Sequence, residues 1–135
     1  MEFFEPRVNA DTAFFWEGCR AHQLRFQRCS RCGHVRWPAS YVCPECLSSD
    51  AEITVVPGEG VLYSFVVMRK PFHPSVADKV PYVVATVDLD SGVRILTNVE
   101  DCDPQTLRCG ARVRIDFSDG EKFSHPIARI LPEAR

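Results

Sequence analysis

The sequence predicts a mainly β protein with a short helical arm, a cysteine-paired ribbon and a small C-terminal barrel. Three observations predict it. Residues 11–21, DTAFFWEGCRA, read as one short aromatic helix. Residues 29–46 carry two Cys-x-x-Cys pairs separated by ten residues. From about residue 51 the chain breaks into short β-rich runs bounded by turns. The chain has 135 residues, 45% of them apolar and 25% charged, which suits one domain or two small ones sharing a core.

The arm is expected over residues 1–22. Asp11 is placed to cap the helix by accepting from its first exposed amides. Phe14, Phe15 and Trp16 are consecutive and cannot share one helix face, so at least one should project away from the surface the helix packs on. Gly18 weakens the helix near its end. The ribbon is expected over residues 23–50. Leu24 and Phe26 alternate with polar residues as a strand would, Val35 and Trp37 alternate again, and Pro38 and Pro44 mark loops.

The barrel is expected over residues 51–135. Its runs are EITVVPG, GVLYSFVVMRK, YVVATVDLD, VRILTNVE, ARVRIDFS and PIARIL. Ser91-Gly92 supplies a hairpin turn. Asp103-Pro104 up to Gly110 reads as one helical turn. Five or six strands with a brief helical turn before the penultimate one suggest an OB-fold, although the count also allows an SH3-like barrel.

Cys29, Cys32, Cys43 and Cys46 form the strongest signal. Two residues between cysteines let a tight knuckle aim both sulfurs at one point, and two knuckles close a tetrahedron of thiolates. Gly33 suits the first knuckle and Pro44 stiffens the second. Four thiolates saturate the ion, so the site reads as structural zinc, with iron as the alternative. Cys19, Cys102 and Cys109 are left over and read as plain buried thiols. An odd cysteine count and no secretory signal fit a reducing, cytoplasmic setting. No run of about 18 apolar residues is present, so no membrane span is expected.

Arg20, Arg25, Arg28, Arg31 and Arg36, with His22 and His34, make the ribbon locally basic in a chain of net charge −2. Three readings stand: a solvated face, a site for a small polyanion such as the phosphates of coenzyme A, or a nucleic-acid surface. The barrel half carries ten Lys or Arg against twelve Asp or Glu, a poor match for a polyphosphate. No nucleophile–base pair, paired acids or phosphate loop is recognisable. His73 lies in the proline-rich stretch KPFHPSVADKVPY and His125 precedes Pro126; both read as structural or solvent-facing. The chain is not expected to be an enzyme by itself. Consecutive Phe14, Phe15 and Trp16 exceed what a small ribbon buries, which points to a protein partner.

The order FFWEG, HQLRFQRC, CSRCGHVRWPASYVCPEC, GEGVLYSFVV, PYVVATVDLDSGVRILTNV and CGARVRIDF resembles the acyl-CoA-associated zinc-ribbon/OB-fold proteins, a family long catalogued as a domain of unknown function. The resemblance runs from about residue 11 to about residue 130, with Gly58, Gly60 and Pro81-Tyr82 at characteristic places. It implies a helical arm, a rubredoxin-like zinc ribbon and a C-terminal OB-fold. It also implies a non-catalytic partner subunit of a thiolase-superfamily protein: a thiolase, a lipid-transfer-protein-like steroid aldolase, a hydroxymethylglutaryl-CoA synthase assembly or a polyketide-type acyltransferase. The catalytic Cys and His would belong to the partner. On this reading Phe14, Phe15 and Trp16 anchor the partner in a hetero-oligomer, and Arg28, Arg31, Lys70 and His73 face coenzyme A. The tail DGEKFSHPIARILPEAR departs from the family pattern. The competing reading is a nucleic-acid-binding ribbon–barrel protein.

Overall fold

A computed structural model describes residues 5–132. Residues 1–4 of the expected arm and 133–135 of the expected barrel lie outside the described residues. The chain is mostly β with one short helix, as its patterning predicts. Helix α1 spans Ala13–Arg20. Strands β1 (Leu24–Cys29), β2 (Val35–Arg36) and β3 (Ala51–Val56) form an antiparallel sheet in the order β2-β1-β3. Strands β4 (Glu59–Met68), β5 (Tyr82–Leu89), β6 (Arg94–Val99), β7 (Arg112–Asp119) and β8 (Ser124–Ile130) close a barrel in the order β4-β5-β6-β8-β7.

The barrel closes because β4 pairs on both sides. It meets β5 over Gly60 to Met68 and β7 over Glu59 to Val61. A register shift between Leu62 and Ser64 bends this strand, as a bulge does. Gly60 permits the close approach of β4 to β5: a Cβ there would lie 2.3 Å from the Asp88 carbonyl oxygen. β6 and β8 run parallel, the others antiparallel, which is OB-fold connectivity and excludes the SH3-like alternative. Inward residues follow the two-residue period, with Val83, Ala85, Val87 and Leu89 of β5 buried. The β5–β6 hairpin turns at Ser91-Gly92 as expected, with Gly92 at φ 95°.

Several local expectations differ. The run EITVV pairs along its whole length with β1, Leu24 opposite Val56 and Cys29 opposite Ala51, so it joins the ribbon sheet and not the barrel. Asn9, not Asp11, organises the approach to α1: its carboxamide oxygen accepts from the amides of Asp11 and Thr12. Residues 103–106 form a hydrogen-bonded turn in which the Asp103 carboxylate accepts from the Gln105 amide, and no helix is completed. Among the spare cysteines Cys19 is buried, Cys102 is half-buried and Cys109 is exposed. Burial pushes the Cys19 thiol up to about 12, so it behaves as an inert apolar group.

Candidate metal centre

The two knuckles are built alike. In the first, the Cys29 amide donates to the His34 carbonyl at 2.8 Å and the Gly33 amide donates to the Cys29 carbonyl at 2.9 Å. In the second, the Cys43 amide donates to Ser48 and the Leu47 amide to Cys43, both at 2.9 Å. Each needs a left-handed residue after its second cysteine. Gly33 supplies it at φ 80°, and Leu47 supplies it at φ 65°. Leucine has a Cβ that opposes this conformation, so the second knuckle is strained where the first is not.

The knuckles bring the four expected sulfurs together, all within 4.8 Å of one another. Cys29 Sγ lies 3.5 Å from Cys46 Sγ, and Cys32 Sγ lies 3.6 Å from Cys43 Sγ. Tetrahedral metal–sulfur bonds of about 2.3 Å place sulfurs about 3.8 Å apart, so the cluster fits an ion with little movement. The four cysteines are thus positioned to bind a metal. The Cys32 amide points at Cys29 Sγ from 3.4 Å, a contact that favours the thiolate form of Cys29. Cys29 and Cys43 are buried, Cys46 is half-buried and Cys32 is exposed.

The arm does not stand clear of the ribbon. Phe15 is 4% exposed and stacks on Trp37 at 4.1 Å between centroids and on Phe26 at 6.2 Å. This corrects its expected place on a partner surface: its ring is spent joining α1 to β1 and to the loop after β2. Phe14 and Trp16 are half-buried, and Trp16 meets Phe15 and His125 edge-on. His125 on β8 therefore abuts the arm. Gly18 is there for space, since a Cβ would lie 2.7 Å from Arg25 Cγ.

The arginines disperse, which weakens any single polyanion-binding face. Arg20 donates to the Gly120 and Glu121 carbonyls at 2.7 and 3.0 Å, clasping the β7–β8 turn. His22 Nε2 meets the Asp119 carboxylate at 2.8 Å and its ring stacks on Phe117. Arg25 donates to the Gln23 side chain. Arg36 is buried. Arg28 and Arg31 remain exposed. Lys70 sits 5.4 Å over the Phe72 ring. His73 Nδ1 accepts from the Ser75 amide at 3.1 Å and caps a short 3-10 helix, Pro74–Val76. The ribbon instead shares a groove with the β5–β6 turn, at Gly92, Val93 and Arg94. Tyr63 and Phe72, which alternation assigns mostly to the core, are exposed instead, as are Tyr41 before the second knuckle, Leu47 on it, and Val66 and Leu96 on the barrel exterior.

A four-cysteine ribbon feeding an OB barrel, with an aromatic helix wedged between them, defines a zinc-ribbon/OB-fold protein. Comparison with known proteins narrows this. The family model described as the ChsH2 rubredoxin-like zinc ribbon domain matches residues 16–52, and the ChsH2 C-terminal OB-fold domain matches residues 54–118. The chain belongs to this ChsH2/DUF35 family. It is 39% identical over 122 residues to the 3-oxo-4,17-pregnadiene-20-carboxyl-CoA hydratase alpha subunit of Mycobacterium tuberculosis, covering 88% of this chain and 38% of that protein. It is 31% identical over 118 residues to the benzoylsuccinyl-CoA thiolase subunit BbsA of Thauera aromatica, covering 82% of this chain and 79% of that one. A chain of the solved Ltp2-ChsH2(DUF35) aldolase superposes with a TM-score of 0.86 at 35% identity, covering 93% of this chain and 98% of that one. The chain spans under two fifths of the length of the hydratase alpha subunits it matches.

Proposed function

We propose that this chain is a non-catalytic subunit of a thiolase-superfamily enzyme acting on an acyl-CoA, either a thiolase or a lipid-transfer-protein-like aldolase. The agreement with a chain of the Ltp2-ChsH2(DUF35) aldolase over nearly all of both lengths carries this reading. The relation to a benzoylsuccinyl-CoA thiolase subunit supports it from a second side. The chain's own chemistry is consistent with a supporting role. The Ser75–His73 contact is a helix cap, with the imidazole lone pair already directed at a backbone amide.

The ribbon holds one zinc ion on Cys29, Cys32, Cys43 and Cys46. Four thiolates leave no open coordination position, so the ion stabilises the knuckles and activates nothing. No helix is long and apolar enough to cross a membrane among the described residues. We place the complex in the cytoplasm, where a free-thiol ribbon stays reduced. Half-buried Phe14 and Trp16 contact the partner, and exposed Arg28, Arg31, Lys70 and His73 face the phosphates of coenzyme A.

Native purification of the tagged chain tests the assignment. A thiolase-like protein should co-elute in a fixed ratio, and metal analysis should return one zinc per chain. Elution of the chain alone under low salt, or iron in place of zinc, would overturn the corresponding part.

A further inference from the structure

Arg36 is the one residue of the basic ribbon that physical chemistry leaves unexplained. It sits on β2, 5% exposed. Its Nη2 donates to the Ser40 carbonyl at 3.1 Å. Its Nε and Nη1 are buried and have no acceptor. Together they carry three N–H bonds, on a group that stays charged at any physiological pH. A buried cation without an opposing charge is strongly unfavourable, so a folded chain retains one where something neutralises it.

The surroundings say what kind of group that is. Arg36 lines the groove between the ribbon and the β5–β6 turn, a space of about 430 Å³ walled by His34, Trp37, Pro38, Gly92 and Arg94. None of the lining side chains is a carboxylate. Arg94, at the far wall, donates from Nε and Nη2 to the Asp88 carboxylate and lies 3.8 Å over the Tyr63 ring. Its charge is largely answered by Asp88. No described side chain accepts a hydrogen bond from Arg36 Nε or Nη1, and among the described residues no carboxylate is paired with it. The groove therefore has two arginines on its walls and no lining carboxylate, with three unfilled Arg36 N–H bonds buried at its edge.

We propose that this groove is an oxyanion site, in which Arg36 binds a phosphate or carboxylate group through Nε and Nη1 while the rest of the ligand lies along Trp37 and Pro38. This assignment is independent of the assembly proposed above. Charge-assisted hydrogen bonds make such a contact selective for anions over neutral ligands. The Pro38 and Gly92 walls offer no side-chain donors or acceptors, so polar recognition falls to Arg36 with His34, Trp37, Ser40 and Arg94.

Inorganic phosphate and acetate are the probes, titrated separately into the zinc-loaded chain at constant ionic strength with chloride as reference. Calorimetry should show saturable binding of one of the two at one site per chain. Arg36→Gln should weaken it roughly tenfold or more, the loss expected from one charged hydrogen-bond donor group. Arg94→Gln should weaken it less. Which probe binds more tightly distinguishes a phosphate from a carboxylate ligand. No saturable binding of either probe would overturn the proposal. So would equal binding by wild type and Arg36→Gln, or loss of zinc from Arg36→Gln with anion binding unchanged, since Arg36 would then serve only to balance the thiolates. If Arg36→Gln does not fold, wild-type crystals soaked in phosphate and in acetate decide the matter. Anion density within hydrogen-bond distance of Nε or Nη1 supports the site, and water alone at both atoms in both soaks overturns it.

Discussion

Phe15→Ala should be among the most destabilising single changes outside the cysteines. The ring is 4% exposed and touches three aromatic partners: Trp37 at 4.1 Å, Trp16 at 5.0 Å and Phe26 at 6.2 Å between centroids. Truncating a buried phenylalanine costs about 3–5 kcal/mol. Aromatic pairing of this kind adds roughly 0.5–1.5 kcal/mol per contact beyond area, which places Phe15 towards the upper end. An expected loss of about 4 kcal/mol corresponds to a fall in melting temperature of roughly 12–20 °C for a chain of this size. Urea unfolding of the zinc-loaded chain, followed by circular dichroism and by fluorescence of Trp16 and Trp37, is the assay. The midpoint should fall with the slope unchanged. A loss under about 1 kcal/mol would refute the reasoning that this stack joins arm to ribbon. Trp16→Ala provides the contrast, because Trp16 is only half-buried: it should cost less in unfolding and more in partner affinity.

Leu47→Gly should raise stability by about 0.5 kcal/mol, because relief of left-handed strain slightly exceeds glycine's added chain entropy; a clear loss in thermal unfolding would show that the leucine side chain holds a contact. The Arg94 guanidinium holds Asp88 below its ordinary value of 3.8, Arg112 does the same for Asp90, and Ser124 with His22 does so for Asp119. A depressed carboxylate stabilises the fold above its unfolded value and loses that contribution as pH falls through the folded one, so stability should hold down to about pH 4 and decline below it. An acid titration of urea midpoints that is flat from pH 5 to pH 2 would contradict this. The pair Arg28→Ala with Arg31→Ala should raise the KM of the complex for acyl-CoA with kcat little changed, since such contacts bind ground and transition states alike; unchanged KM with intact assembly would leave both as solvated surface.

The cysteines were legible because Cys-x-x-Cys spacing is a local constraint that a knuckle imposes directly. The barrel strands were legible for the same reason, as the two-residue period of β5 reads straight from YVVATVDL. What escaped were facts set by distant partners. The run EITVV carries no local mark saying that it pairs with β1 instead of β4. Arg36 looks like any arginine of a basic ribbon, and only the surrounding loops bury it. Phe14, Phe15 and Trp16 cannot share one helix face, but the sequence does not say which one turns inward; the phase of α1 sends Phe15 into the stack with Trp37. Leu47 hides its left-handed backbone because glycine, the residue that usually reports it, stands only in the first knuckle.

The most direct test is reconstitution of acyl-CoA turnover from separately purified components. The zinc-loaded chain alone should leave thioester and aldol substrates untouched. The co-purifying thiolase-like protein alone should be weak or inactive, and mixing the two should restore turnover that saturates at their assembly ratio. Turnover by the chain alone, surviving removal of contaminants, would contradict the account, as would a partner whose activity is indifferent to the chain.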